Sequence, residues 1–126
     1  MNLELQVSDF YGGKSMHDQS HGEAFFATFM NKFKSNGLYI LDELEAALSP
    51  TRQMAMISRM HDLANQQSQF IIATHSPIIM GYPGGMILQI ANKGNEVIEY
   101  EKTENYIVMK EFINNRRKML DICWNN

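Results

Sequence analysis

Two short apolar runs, each ending in polar chemistry, constrain this chain most. Leu38-Tyr39-Ile40-Leu41 leads into Asp42-Glu43, and Phe70-Ile71-Ile72-Ala73-Thr74 leads into His75-Ser76-Pro77. Continuous apolar runs of this length are the pattern of strands buried on both faces, as in parallel sheets. Between them, Ser49-Pro50 reads as an N-cap followed by proline at the first helical position. The helix it opens, residues 50 to about 66, places Met54, Ile57, Met60, Leu63 and Ala64 on one side. Strand, helix, strand in this order is a right-handed parallel crossover. The predicted class is α/β.

The flanks extend that unit. Residues 3–7 alternate apolar and polar, a strand pattern, and a polar glycine-containing stretch follows. Ser20-His21-Gly22-Glu23 reads as a capping box. The helix behind it carries Ala24, Phe25, Phe26, Phe29, Met30 and Phe33, and Asn36-Gly37 ends it. Downstream, residues 86–90 and 96–100 flank Asn92-Lys93-Gly94-Asn95, a hairpin with a loop of four to five residues. From about Thr103 the pattern is helical, in two pieces separated near Asn114-Asn115. With no repeat and no linker, residues 1–126 read as a single α/β domain or part of one.

Composition narrows the class further. A hydrophobic fraction of 44%, with 8 Gly and 3 Pro, excludes disordered and collagen-like chains. Net charge is −3, which gives no electrostatic footprint for nucleic acid, although Arg116-Arg117-Lys118 is a local basic cluster. The single cysteine, Cys123, has no partner for an intramolecular disulfide, as expected in a reducing compartment. No apolar run approaches the ~20 residues that span a bilayer, and the N-terminus lacks a signal-peptide layout. A cytoplasmic location is expected.

Parallel sheets bind ligands at the carboxyl ends of their strands, where this chain delivers Asp42, Glu43 and His75. An apolar strand followed by Asp-Glu is the Walker B pattern. The Asp can hold Mg²⁺, usually through water, and the Glu can polarise a water attacking a γ-phosphate. A histidine after the next strand can hydrogen-bond the same phosphate. The bland alternative is a solvated helix-entry loop. Ser20 and Gly22 at a helix N-terminus form either a phosphate site or an ordinary cap. His17, Asp18, His21 and Glu23 lack the ligand spacing of a zinc site and read as solvated loop residues.

Ser-x-Gly-Glu opening a helix, Asp-Glu about twenty residues later, Ala47-Leu48-Ser49-Pro50, then Thr74-His75-Ser76-Pro77 occur in one order. This resembles the carboxyl-terminal half of an ATP-binding cassette (ABC) type ATPase, from about Gln19 to Pro77. Ser20-His21-Gly22-Glu23 resembles the signature motif, Leu38 to Glu43 Walker B, Ala47 to Pro50 the D-loop, and His75 the switch histidine. Gly81-Tyr82-Pro83-Gly84-Gly85 and the ending around Tyr106 to Trp124 resemble a bacterial branch of soluble ABC/AAA-type ATPases. The resemblance implies a partial P-loop NTPase fold and ATP with Mg²⁺ as cofactors. It assigns Glu43 and His75 to catalysis, Asp42 to the metal, and Ser20, Gly22, Glu23 and Ser49 to the nucleotide. Two departures stand out: the signature is not Ser-Gly-Gly-Gln, and Leu44 replaces a common proline.

Such a site also needs a Walker A loop, Gly-x4-Gly-Lys-[Ser/Thr]. Gly12-Gly13-Lys14-Ser15 is a partial match, but Ser8 stands where the first glycine belongs, and the helix signal comes only at Ser20. The expectation is therefore an ATPase portion that needs a Walker A half or partner chain, with self-association or pairing through an incompletely covered sheet. The competing expectations are a non-catalytic, oligomerising fragment, and a metal-dependent hydrolase acting through Asp42, Glu43 and His75 directly.

Overall fold

A computed structural model describes residues 19–125. The chain divides into two compact units, one ending at Ile79 and the other beginning at Met80. The strand pattern at 3–7, the 12–15 segment, His17 and Asp18 lie outside the described residues.

The first unit is built on the expected crossover. Helix α1 spans Gln19–Lys32, strand β1 Leu38–Asp42, helix α2 Pro50–Ala64 and strand β2 Gln69–Ala73, with a 3-10 turn at Leu44–Ala47. β1 and β2 pair in parallel, Leu38 opposite Gln69 through Asp42 opposite Ala73. Ser20 lies within the described part of helix α1 and so is not the N-cap the capping box predicts.

Aromatic residues fill the core. Phe25 and Phe29 on α1 are buried with Tyr39 and Leu41 of β1, and Met56, Met60 and Leu63 of α2 join them. The Tyr39 ring lies between two others, stacked on Phe33 at 4.2 Å and on Phe70 at 5.4 Å. Its hydroxyl accepts from the Lys34 N–H and donates to the Lys34 carbonyl, so the one polar atom of this ring is satisfied. The buried stripe of α2 is Gln53, Met56, Met60 and Leu63, turned from the expected one; Met54 faces outward. A glutamine holds a core position because its Nε2 donates to the Leu48 carbonyl at 3.0 Å and its Oε1 accepts from the Ser76 hydroxyl.

Among the described residues, the cover lies on one face of this sheet. Leu38, Ile40 and Ile71, alternating with the buried positions, are 45%, 46% and 59% exposed. Parallel strands are ordinarily covered on both faces, and an apolar sheet face left bare drives association. At high concentration the chain is expected to elute as a dimer or larger species. Replacing Ile40 and Ile71 together by lysine is expected to return it to a monomer. Size-exclusion light scattering that finds the parent chain cleanly monomeric contradicts this.

The second unit holds a hairpin and two helices: β3 Ile87–Ala91, β4 Gly94–Ile98, α3 Glu104–Asn114 and α4 Arg116–Trp124. The hairpin loop is shorter than expected, only Asn92-Lys93, because Gly94 adopts φ +120° and pairs directly with Ala91. Thr103 caps α3, its hydroxyl oxygen accepting from the Tyr106 N–H. Burial, followed by the neighbouring Tyr106 and Glu101, pushes the Tyr100 phenol above its ordinary pKa.

Candidate functional site

The end of β1 is a sharp exit. Asp42 pairs with Ala73 as the last residue of the strand. Glu43 follows in the left-handed region at φ 50° and ψ 46°, its N–H donating to the Ala73 carbonyl at 2.9 Å. A non-glycine residue is uncommon in that region and needs its surroundings to hold it. Leu44 supplies the hold: it is 2% exposed, so the chain must turn at Glu43 to seat this side chain in the core. Leucine thus anchors a turn that proline would stiffen by its ring. Asp42 and Glu43 are both exposed beyond the strand.

The neighbouring strand ends at the same level. Ala73 lies opposite Asp42, so Thr74 and His75 emerge beside the Asp42-Glu43 pair with no strand between. Glu45, in the 3-10 turn, accepts from the Thr74 hydroxyl and from the His75 backbone N–H. The Ser76 hydroxyl donates to Gln53 and accepts from the N–H groups of Ile78 and Ile79. Residues 74–76 are therefore tied by side chains to the segment that follows Asp42 and Glu43.

The other sequence-predicted residues fall into two groups. Gly22 is buried against the 3-10 turn: an added Cβ would lie 2.5 Å from the Ala47 carbonyl oxygen and 2.7 Å from the Ala47 Cβ. Close packing of α1 on this turn therefore requires a glycine at this position. Glu23 is exposed on the same helix. Ser49 is the N-cap of α2, its hydroxyl oxygen accepting from the Arg52 N–H at 3.2 Å. Ser49→Ala is expected to cost about 1 kcal/mol of stability, read as a lower urea midpoint; no change would show that the cap contributes nothing.

Among the described residues no group of three or more His, Cys, Asp and Glu side chains could hold a metal ion. Mg²⁺ has a different demand, because it binds through one or two carboxylates together with phosphate oxygens and water. Asp42 and Glu43, exposed oxygen donors at a strand end, fit that demand.

Glu45 and Gln53 are not singled out by sequence, and Thr74 and Ser76 enter only as neighbours of His75 in its motif, without a role of their own. Two signals were available. Thr74 and Ser76 bracket His75 with short hydroxyl side chains, and Gln53 interrupts the stripe completed by Met56, Met60 and Leu63.

Residues 21–80 match the family model described as the AAA ATPase domain. That stretch contains Gly22, Glu23, Asp42, Glu43, Ser49 and His75. No curated protein matches the chain.

Proposed function

From a stretch similar to an AAA ATPase domain, we propose that this chain supplies the magnesium and water-activating strand ends of an ABC-type ATP-hydrolysing site. In this reading the phosphate cradle reaches the site from another segment or chain. The observation that carries it is the register of β1 and β2, which brings Asp42-Glu43 and Thr74-His75 to one edge of adjacent parallel strands.

Asp42 is assigned to the metal, most simply through a water molecule. Bound Mg²⁺ would neutralise charge on the phosphoryl oxygens. Glu43 orients the attacking water and takes its proton, a role suited to an acceptor-only carboxylate. His75, delivered by the neighbouring strand, donates to the same phosphate. Ser20 is assigned to a nucleotide held by a second subunit, with Gly22 and Glu23 beside it in the sequence. Gly22 sets how closely that helix start approaches Ala47. Ser49 acts through the cap it provides to α2. A cytoplasmic setting accords with an exposed Cys123, and no helix among the described residues is long and apolar enough to cross a membrane.

Among the described residues no glycine opens a Gly-x4-Gly-Lys loop. Gly12-Gly13-Lys14-Ser15 departs from that pattern at Ser8, and in this reading most phosphate-binding N–H donors and the cradle lysine come from another segment or chain. The isolated chain is expected to bind Mg-ATP more weakly than about 1 mM by calorimetry. Micromolar binding would overturn the assignment of an incomplete cradle. A second reading, an oligomerising module without catalysis, is favoured by apolar surface in the second unit. Ile107, Val108, Met109, Phe112 and Ile113 on α3 are all exposed.

A further inference from the structure

Glu45 belongs neither to the Asp42-Glu43 pair nor to the loop that carries His75, yet it joins them. Both of its carboxylate oxygens are engaged. Oε1 accepts from the Thr74 hydroxyl at 2.7 Å, and Oε2 accepts from the His75 backbone N–H at 2.7 Å. The N–H···O contact is at the short end of the usual range, as expected when the acceptor is ionised. The Thr74 hydroxyl oxygen in turn accepts from the Ser76 N–H at 3.0 Å. The 3-10 turn carrying Glu45 starts immediately after Glu43, and the Ala46 N–H donates back to the Glu43 carbonyl. One 3-10 turn therefore adjoins Glu43 at one end and bonds the backbone of His75 through its second residue.

Burial does not demand this arrangement. His75 is exposed, and Thr74 and Glu45 are only half-buried, so none of these groups is sealed in the core. What a two-armed carboxylate adds at such a place is fixed geometry between two loops. We propose that Glu45 is a positioning residue. It clamps the His75 backbone to the turn that carries Glu43, so that the two groups assigned to water activation and phosphate contact move as one body. The inference rests on the assignment of Glu43 and His75 to that site.

Amide hydrogen exchange on the full chain, without nucleotide, tests the clamp. With Glu45→Ala the His75 amide is expected to exchange at least about tenfold faster, while the core amides of Leu41 and Leu63 keep their rates. Glu45→Gln is expected to restore much of the protection. Its amide oxygen can accept from the His75 N–H, and its NH₂ can donate to the Thr74 hydroxyl oxygen. Equal His75 exchange in parent and Glu45→Ala overturns the proposal, as does an equal rise at Leu41 and Leu63, which would make Glu45 a general stabiliser. Should Glu45→Ala not fold, Thr74→Val removes the hydroxyl arm, together with the acceptor of the Ser76 N–H, and leaves the carboxylate in place. A faster His75 amide then supports the clamp, and an unchanged one refutes it. Because the readout needs no ATP, a failed clamp leaves the ATPase reading standing, and a failed ATPase reading leaves the clamp measurable.

Discussion

Phe29→Ala is expected to remove about 3–5 kcal/mol of stability, a large share of what a small domain has. Phe29 is completely buried, and its ring meets Phe33 at 4.7 Å and both Phe25 and Phe70 at 6.2 Å. Phe70 lies on β2, so this one ring joins α1 to the strand that leads to His75. Alanine gains well under 1 kcal/mol in helix propensity, far less than the cost of the cavity. Urea denaturation measures the difference. Phe26, half-buried on the same helix, should lose less when truncated in the same way. A loss for Phe29→Ala below about 1 kcal/mol would show that the aromatic cluster is not the core of this unit.

Glu43→Gln is expected to lower ATP turnover in the completed site by about 10²–10⁴-fold while nucleotide binding persists. Glutamine keeps the size of the side chain but cannot accept the proton of the attacking water. The local fold should survive, because the turn is held by the Glu43 N–H on the Ala73 carbonyl and by buried Leu44, neither of which changes. A fall in turnover with intact nucleotide retention separates a chemical role from a structural one.

The crossover was legible because each of its signals was local. A continuous apolar run, Ser49-Pro50 and a second apolar run need no knowledge of distant contacts, and β1, α2 and β2 fall within a residue or two of their expected bounds. The break near Asn114-Asn115 was likewise visible as two adjacent poor helix formers. What was not legible depended on partners far along the chain. The buried stripe of α2 includes Gln53 only because Leu48 and Ser76 satisfy its amide. The apolar runs predict two covered faces, yet among the described residues Leu38, Ile40 and Ile71 are exposed. At the site, register could be anticipated from strand order, so Asp42, Glu43 and His75 were placed at one edge. Glu45 was not, because its importance comes from meeting Thr74 and His75 across a sequence gap of about thirty residues.

The central claim is that Glu43, at the end of β1, activates water in a site completed by a cradle from elsewhere. Its most direct test is Mg²⁺-dependent ATP turnover by the chain purified alone and by the chain recovered with its assembly from native cells, each with and without Glu43→Gln. The account predicts turnover only in the recovered assembly, falling at least about 100-fold in the variant. Turnover in the assembly that is unaffected by Glu43→Gln, or full turnover by the chain alone, would contradict it.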